Sequence, residues 1–249
     1  MKRLCVLVLV AYALAAPVGA QEPLRVVARV FEPFSYLVDG KPAGLEYEIL
    51  RYFAKAKGRE LEVTWVDTFA ELLPRFEQGD LDIATGTVTI TAARAERFGF
   101  SESYFPVRVI VVEPRTHRTR DLADLAGETL VTNADTTYEE LLRAGVPNAR
   151  FVYAPDEEAA LGVLDRGEAR AAAVDTVLGL VYLPDFPDLH MTLPISDEQH
   201  YGFVVGHGSP LASELSEHIN QLKAAGIYFR LLEEYLGQEA VEMVRAAKE

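Results

Sequence analysis

The chain has 249 residues and a formal net charge of −14 at pH 7. So acidic a chain is ill suited to neutralising a phosphate backbone, which argues against nucleic acid as a partner. Its single cysteine, Cys5, lies in the first apolar stretch, so the expected mature chain has no disulfide, no thiolate nucleophile and no cysteine metal site. Lys2 and Arg3 open the sequence, residues 4–16 are almost wholly apolar, and Val18-Gly19-Ala20 supplies small residues where a signal peptidase cuts. Residues 1–20 therefore read as a cleaved secretory signal. The apolar run is short of the roughly 20 residues a bilayer span needs. Cys5 is too early to be a lipid-attachment site, so the expected product is free in a periplasm.

Strands and helices then alternate. Residues 24–30 (LRVVARV) predict a strand, and residues 31–44 hold Pro33, Asp39-Gly40 and Pro42, which read as turns. Leu45, Ile49, Leu50, Phe53 and Ala54 fall at helical spacing within 45–57, ahead of Gly58. A strand at 62–66, a helix at 69–78 and a strand at 81–85 complete a β-α-β-α-β series, which predicts a mostly parallel sheet covered by helices. After a strand at 108–112 the pattern restarts. Strands are expected around 130–131, 150–153 and 171–174, with helices at 137–143, 156–166 and 176–182. A last block reads as a strand at 201–205 and a helix at 211–236 broken at Gly226. Two α/β units with a returning tail predict two lobes.

Four segments together carry a family resemblance: PFSYLVDGKPAGLEYEIL (33–50), TVTITAARAERFGFSESYF (87–105), AAAVD (171–175) and YGFVVGHGSPL (201–211). In this order and spacing the chain resembles the extracytoplasmic solute-binding proteins of family 3, the amino-acid receptors of ABC importers. The resemblance implies the two-lobed periplasmic-binding-protein fold of type II, α/β, each lobe a mixed and mostly parallel sheet flanked by helices. It implies a first lobe over 21–107, a second over 108–202 and a return to the first over 203–249. The crossings would fall near 106–108 and 200–202. A cleft between lobes is a common ligand site, and two crossing strands form a hinge.

A free amino acid asks for a bidentate cation at its carboxylate and an acid at its ammonium, both paired once water leaves. The resemblance makes Arg94 the carboxylate clamp, with Thr89 and Thr87 beside it, and Asp175 the ammonium partner. It puts Thr136 and Thr137 at a helix N-terminus facing the ligand, and Phe31 and Phe69 as aromatic walls. Each residue has a plainer reading. Arg94 could pair with Glu96 or Glu102, and Asp175 could cap the helix from Thr176. Thr136-x-x-Glu139 is a capping-box pattern, and Phe31 and Phe69 could be core. Thr91 reads as a cap, and Glu46 as support for the lobe.

Two positions depart from the pattern: Ala28 stands where relatives carry an acid, and Asp135 where they usually have glycine. The acidic pairs Glu139-Glu140, Glu157-Glu158 and Glu233-Glu234 lie in helical text and read as solvated faces. No HExxH, GxSxG, P-loop or GxGxxG motif occurs, and His200 and His207 read as solvated loop residues. The expectation is a monomeric binding protein without cofactor or turnover, delivering an amino-acid-like solute to the membrane permease of an ABC importer. The alternatives are a prephenate or arogenate dehydratase, and a receptor presenting ligand to a membrane signalling partner.

Overall fold

The apolar run after Pro23 forms β1 (Leu24–Arg29), flanked by a strand on either side and buried except at Arg25. The computed structural model describes residues 21–247, so the expected leader lies outside the described residues. The turn segment after β1 contains a hairpin, β2 (Tyr36–Val38) and β3 (Lys41–Ala43), which was not expected. Asp39 and Gly40 both take positive φ (50° and 74°) at its tip, as the tightest hairpin turns require. Gly44 then enters α1 (Leu45–Ala56) at φ 114°. A Cβ there would lie 2.3 Å from the Phe34 carbonyl oxygen, so only glycine fits. The helix buries Leu45, Glu46, Ile49, Leu50, Phe53 and Ala54, the stripe its spacing predicts.

The first lobe continues through β4 (Leu61–Val66), α2 (Phe69–Phe76), β5 (Ile83–Thr85), the single turn α3 (Ala92–Ala95) and β6 (Phe98–Phe100). A first crossing strand, β7 (Phe105–Val107), leads to the second lobe. This lobe comprises β8 (Val109–Pro114), β9 (Thr129–Asn133), α4 (Thr137–Gly145), β10 (Arg150–Ala154), α5 (Glu157–Asp165), β11 (Ala171–Asp175), α6 (Thr176–Tyr182) and β12 (Leu189–Pro194). The return crosses on β13 (Gln199–Tyr201), enters the first lobe as β14 (Val204–Gly206) and ends in α7 (Leu211–Ala224) and α8 (Ile227–Ala246). The single strand expected at 201–205 is thus two. Tyr201 pairs with Phe105 in the crossing, whereas Val204 pairs with Ala84 and Phe100 in the lobe-one sheet.

The two main sheets share one plan. Lobe one runs β4-β1-β5-β14-β6 and lobe two runs β10-β9-β11-β8-β12. In each, three parallel strands are extended by two strands with antiparallel pairing. The run Ala171–Asp175 is buried at every position because helices cover both faces of its sheet. In lobe one, α1, α7 and α8 pack with Phe34, Phe53, Tyr104 and Phe203 on one face, and α2 covers Val27, Ala84 and Val204 on the other. Among the described residues no helix is long and apolar enough to cross a membrane.

Candidate functional site

The lobe-one wall is the loop after β5. Thr87 holds a left-handed backbone (φ 56°), unfavourable for a β-branched residue. Buried Glu46 stabilises it, accepting the Thr87 N–H at 2.8 Å together with the hydroxyls of Ser35 (3.1 Å) and Tyr104. The GLEYE acid therefore supports the lobe, as its position suggested. Residues 88–90 dock on the second crossing strand, with Ile90 N donating to His200 O at 2.8 Å. Thr91 Oγ1 accepts from Arg94 N at 3.2 Å and caps α3. The cap aims Arg94 inward, where only 8% of it remains exposed. Neither Glu96 nor Glu102 pairs with it. Its guanidinium donates to Thr89 O (3.0 Å) and Asp135 O (3.2 Å) and stacks 5.0 Å from the Phe69 ring centre. Burial pulls its pKa down, against the raising pull of Glu140 and Asp175 further off.

The lobe-two wall comes from the starts of two helices and the end of β11. Thr136 Oγ1 caps α4 by accepting from Glu139 N, but the reciprocal half of the capping box is displaced by one residue. Glu139 Oε2 accepts from Asp135 N at 3.0 Å. Asp135 has φ 60°, which accounts for the glycine expected there, and its exposed side chain leaves the carbonyl to meet Arg94. Asp175 precedes α6 but makes no side-chain cap bond. Its Oδ2 accepts from the hydroxyls of Tyr138 (3.0 Å) and Tyr201, while Oδ1 is buried without a partner. Burial raises its pKa from 3.8 to about 7, with the two tyrosine hydroxyls opposing the rise.

Glu157 corrects the sequence reading. Its pair with Glu158 was expected on a solvated face, yet Glu157 is 1% exposed. The Asp156 cap, which accepts Ala159 N at 2.7 Å, starts α5 at the cleft and turns Glu157 into it. There it meets fully buried Arg29 of lobe one, with Nη2–Oε2 at 2.5 Å and Nη1–Oε1 at 3.3 Å. Burial acts to lower the Arg29 pKa, and the Glu157 carboxylate more than offsets it. Tyr182 Oη donates to Glu32 O at 2.5 Å, a further link between the lobes.

The lobes meet directly. Behind Arg94 a cavity of ≈ 10 Å³ remains between them, lined by Phe69, Thr87, Thr89, Arg94, Thr136, Thr137, Tyr138 and Glu157. Six residues chosen from sequence share this wall. Asp175 stands outside the lining, bonded to Tyr138, and Phe31 packs in the lobe-one core, 6.0 Å from Phe34 and under Arg29 at 4.1 Å. Arg29, Tyr138 and Glu157 were missed. Nothing in their local text marks them, except that Asp156 is a cap residue. Beyond Arg94 an outer groove of ≈ 370 Å³ runs along Phe69, Leu73 and Pro74 towards Asp135 and Glu140.

Two α/β lobes joined by paired crossing strands, with a buried guanidinium and a helix N-terminus facing across the cleft, define a type II periplasmic-binding-protein fold. Residues 24–238 match the family model of bacterial extracellular solute-binding proteins, family 3, and the chain belongs to that family. A crystal structure of the substrate-binding protein of an amino acid ABC transporter is 25% identical, with TM-score 0.78 over 87% of this chain and 100% of that one. The GluR0 ligand-binding core from Nostoc punctiforme, in complex with L-glutamate, is 23% identical. It shares the fold, with TM-score 0.78 over 87% of this chain and 100% of that one. The membrane-bound lytic murein transglycosylase F of Desulfosudis oleivorans is 29% identical over 80% of this chain, but the match spans only 45% of that protein's length. The L-glutamate/L-aspartate-binding protein of Pseudomonas aeruginosa is 28% identical over 68% of this chain and 65% of its own.

Proposed function

We propose that the protein is a periplasmic receptor, exported by cleavage of residues 1–20, that captures an amino-acid-like solute by closing two lobes and presents it to an ABC importer permease. The lobes are taken as residues 21–107 with 203–249, and 108–202, in a monomer. The observation that carries the reading is Arg94: a buried guanidinium in the cleft wall whose hydrogen-bond partners are carbonyls. A buried cation calls for an anion, and a ligand carboxylate is the group that planar, bidentate recognition suits. Thr87, Thr89, Thr136 and Thr137 surround the same space. Asp175, bonded to Tyr138 through Oδ2 and with Oδ1 unpartnered, is taken as the partner of the ligand ammonium. Phe69 supplies an apolar wall, while Phe31 supports Arg29. The similarity to an amino acid ABC transporter's binding protein is in keeping with import.

Of the acids at the cleft, Glu157 lines the cavity but is engaged by Arg29, and Asp175, which burial keeps protonated up to about pH 7, stands outside the lining behind Tyr138. On that ground binding without turnover is the reading taken. A second reading, ligand sensing for a membrane partner, draws on the similarity to part of a murein transglycosylase F. The test is a thermal-shift screen of refolded protein with amino acids, polyamines and dicarboxylates. At a thousandfold excess over Kd a ligand stabilises by about 4 kcal/mol, a shift that is easily read. A shift with any amino acid, lost in Arg94→Ala, supports the receptor reading. No shift with any member of the panel rules it out.

A further inference from the structure

Within α8, Gly237 leaves helical geometry (φ 80°, ψ 176°), so the residues after it form a short helix of their own. The family model matches as far as residue 238, and nearly all of this helix lies beyond the match. One face of it, Ala240, Val241 and Val244, is buried in the lobe-one core together with Tyr104, Phe105 and Val107, the last two on β7. The other face, with Gln238, Glu239, Glu242 and Arg245, is exposed. The Arg245 guanidinium lies 5.3 Å from the Phe229 ring centre and ties the helix to the first half of α8.

The two crossing strands separate a cleft side from a back. Tyr201 of β13 turns its hydroxyl to Asp175 at the cleft floor. His200 before it, and Pro106 opposite on β7, face the other way, because side chains alternate along a strand. The terminal helix lies on that back. Val244 and Ala247 share a cavity of ≈ 130 Å³ with Pro106 and His200. Met243, Ala246 and again Ala247 border a second, of ≈ 300 Å³, which Arg108, Thr176 and Glu198 line beyond the crossing. With the lobes together across the cleft, open space stands at the back of the hinge.

A rotation about two crossing strands widens one side as it narrows the other. Opening the cleft narrows the back and brings Met243 and Ala246 towards Arg108, Thr176 and Glu198. Apolar surface left uncovered when the lobes are together is then covered. We infer that residues 238–247 are a hinge strap: anchored in lobe one and facing lobe two across the back cavities, they favour the open form, with Met243 and Ala247 as the positioning residues. The inference goes beyond the receptor reading and does not depend on which solute is bound. For any ligand that needs the closed form, the open preference is subtracted from its affinity.

The single cysteine, Cys5, lies in the expected leader, so Gln78→Cys and Asp165→Cys give the mature chain two unique spin-label sites. Both positions are exposed, one just past α2 and one at the end of α5, helices that begin at the cleft. Label separations are read by pulsed electron spin resonance on refolded, ligand-free protein. The expected wild-type result is two separations, that of the lobes together and a second, open one. Met243→Ala takes away contact made on opening, whereas Ala247→Trp fills the back so that it cannot narrow. One removes apolar contact and the other adds it, yet both are expected to raise the closed-to-open ratio about threefold or more. Glu242→Ala, on the exposed face, is expected to leave the ratio as it was. A ratio unchanged or lowered in either Met243→Ala or Ala247→Trp overturns the strap. So does an equal rise in Glu242→Ala, or a wild type with the closed separation alone. None of these outcomes touches the receptor reading, which the thermal-shift screen decides by itself.

Discussion

The Tyr201 hydroxyl, on the second crossing strand, donates to Oδ2 of Asp175 at the end of β11, so the hinge and the floor of the cleft share a hydrogen bond. Asp175 also faces Tyr138, Glu157 and Arg94, and burial is the main reason its pKa rises from 3.8 to about 7. The folded protein thus holds this proton more tightly than the unfolded chain. The stability contributed is complete below about pH 3.8 and is lost as pH rises through 7. The full effect amounts to roughly 4 kcal/mol, taken as an order of magnitude. Asp175→Asn removes the titration. Its melting temperature relative to wild type is expected to climb between pH 5 and pH 8, in ligand-free protein. A difference that stays flat with pH would show that Asp175 is ionised throughout this range.

Arg94 serves two lobes through two carbonyls. Arg94→Ala is expected to weaken carboxylate ligands by about 2–4 kcal/mol, roughly 30- to 1000-fold in Kd, because charge-assisted bonds are lost. Arg94→Lys keeps the charge but not the fork, and is expected to recover only part of that loss. Calorimetry on the two variants separates charge from geometry: equal affinities in the two would assign the whole effect to the fork, and wild-type affinity in Arg94→Lys would assign it to charge.

The buried Arg29–Glu157 pair predicts strong non-additivity. Glu157→Ala alone leaves a fully buried guanidinium unpaired and should cost about 3–5 kcal/mol. Replacing both residues by methionine should cost far less, within about 1–2 kcal/mol of wild type. Melting temperatures of the two single variants and the double variant check this. Additive losses would mean that the pair is not coupled.

Gly44→Ala should be among the most damaging single-methyl changes in the first lobe. The new Cβ would meet backbone atoms of Phe34 and Ser35 at 2.3–2.9 Å, at a φ of 114°. A loss of about 2–3 kcal/mol is expected, a drop of roughly 5–10 °C in Tm for a protein of this size. An unchanged Tm would mean that the loop before α1 yields freely.

Much of the fold was legible because it depends on local pattern. The α1 stripe, the alternation of strand and helix, and the caps at Thr91 and Thr136 follow from residue spacing and side-chain chemistry alone. The Asp39-Gly40 hairpin also carried its signal, although it was read as a turn without strands. The division of 201–205 between β13 and β14 was not legible, since residues 201–205 read as one run without a charged or breaking residue other than Gly202, and the two ends differ in their partners. The cleft divided in the same way. Arg94 stood in a distinctive segment, whereas Arg29 resembled the polar end of a strand and Glu157 the solvated start of a helix. Each of those two is buried only because the other is there, and no spacing within one segment expresses that.

The position of β14 bears on the order in which the chain can fold. Lobe two is a continuous stretch, with β8 through β12 consecutive in sequence. Lobe one is not, because β14 is inserted between β5 and β6 and only then do α7 and α8 follow. While the chain is emerging from the ribosome, lobe two can close its sheet as soon as its own residues are out. The earlier-made lobe must wait with β5 and β6 unpaired along facing edges, the kind of open edge that invites wrong partners. The lobe translated first is therefore the lobe finished last.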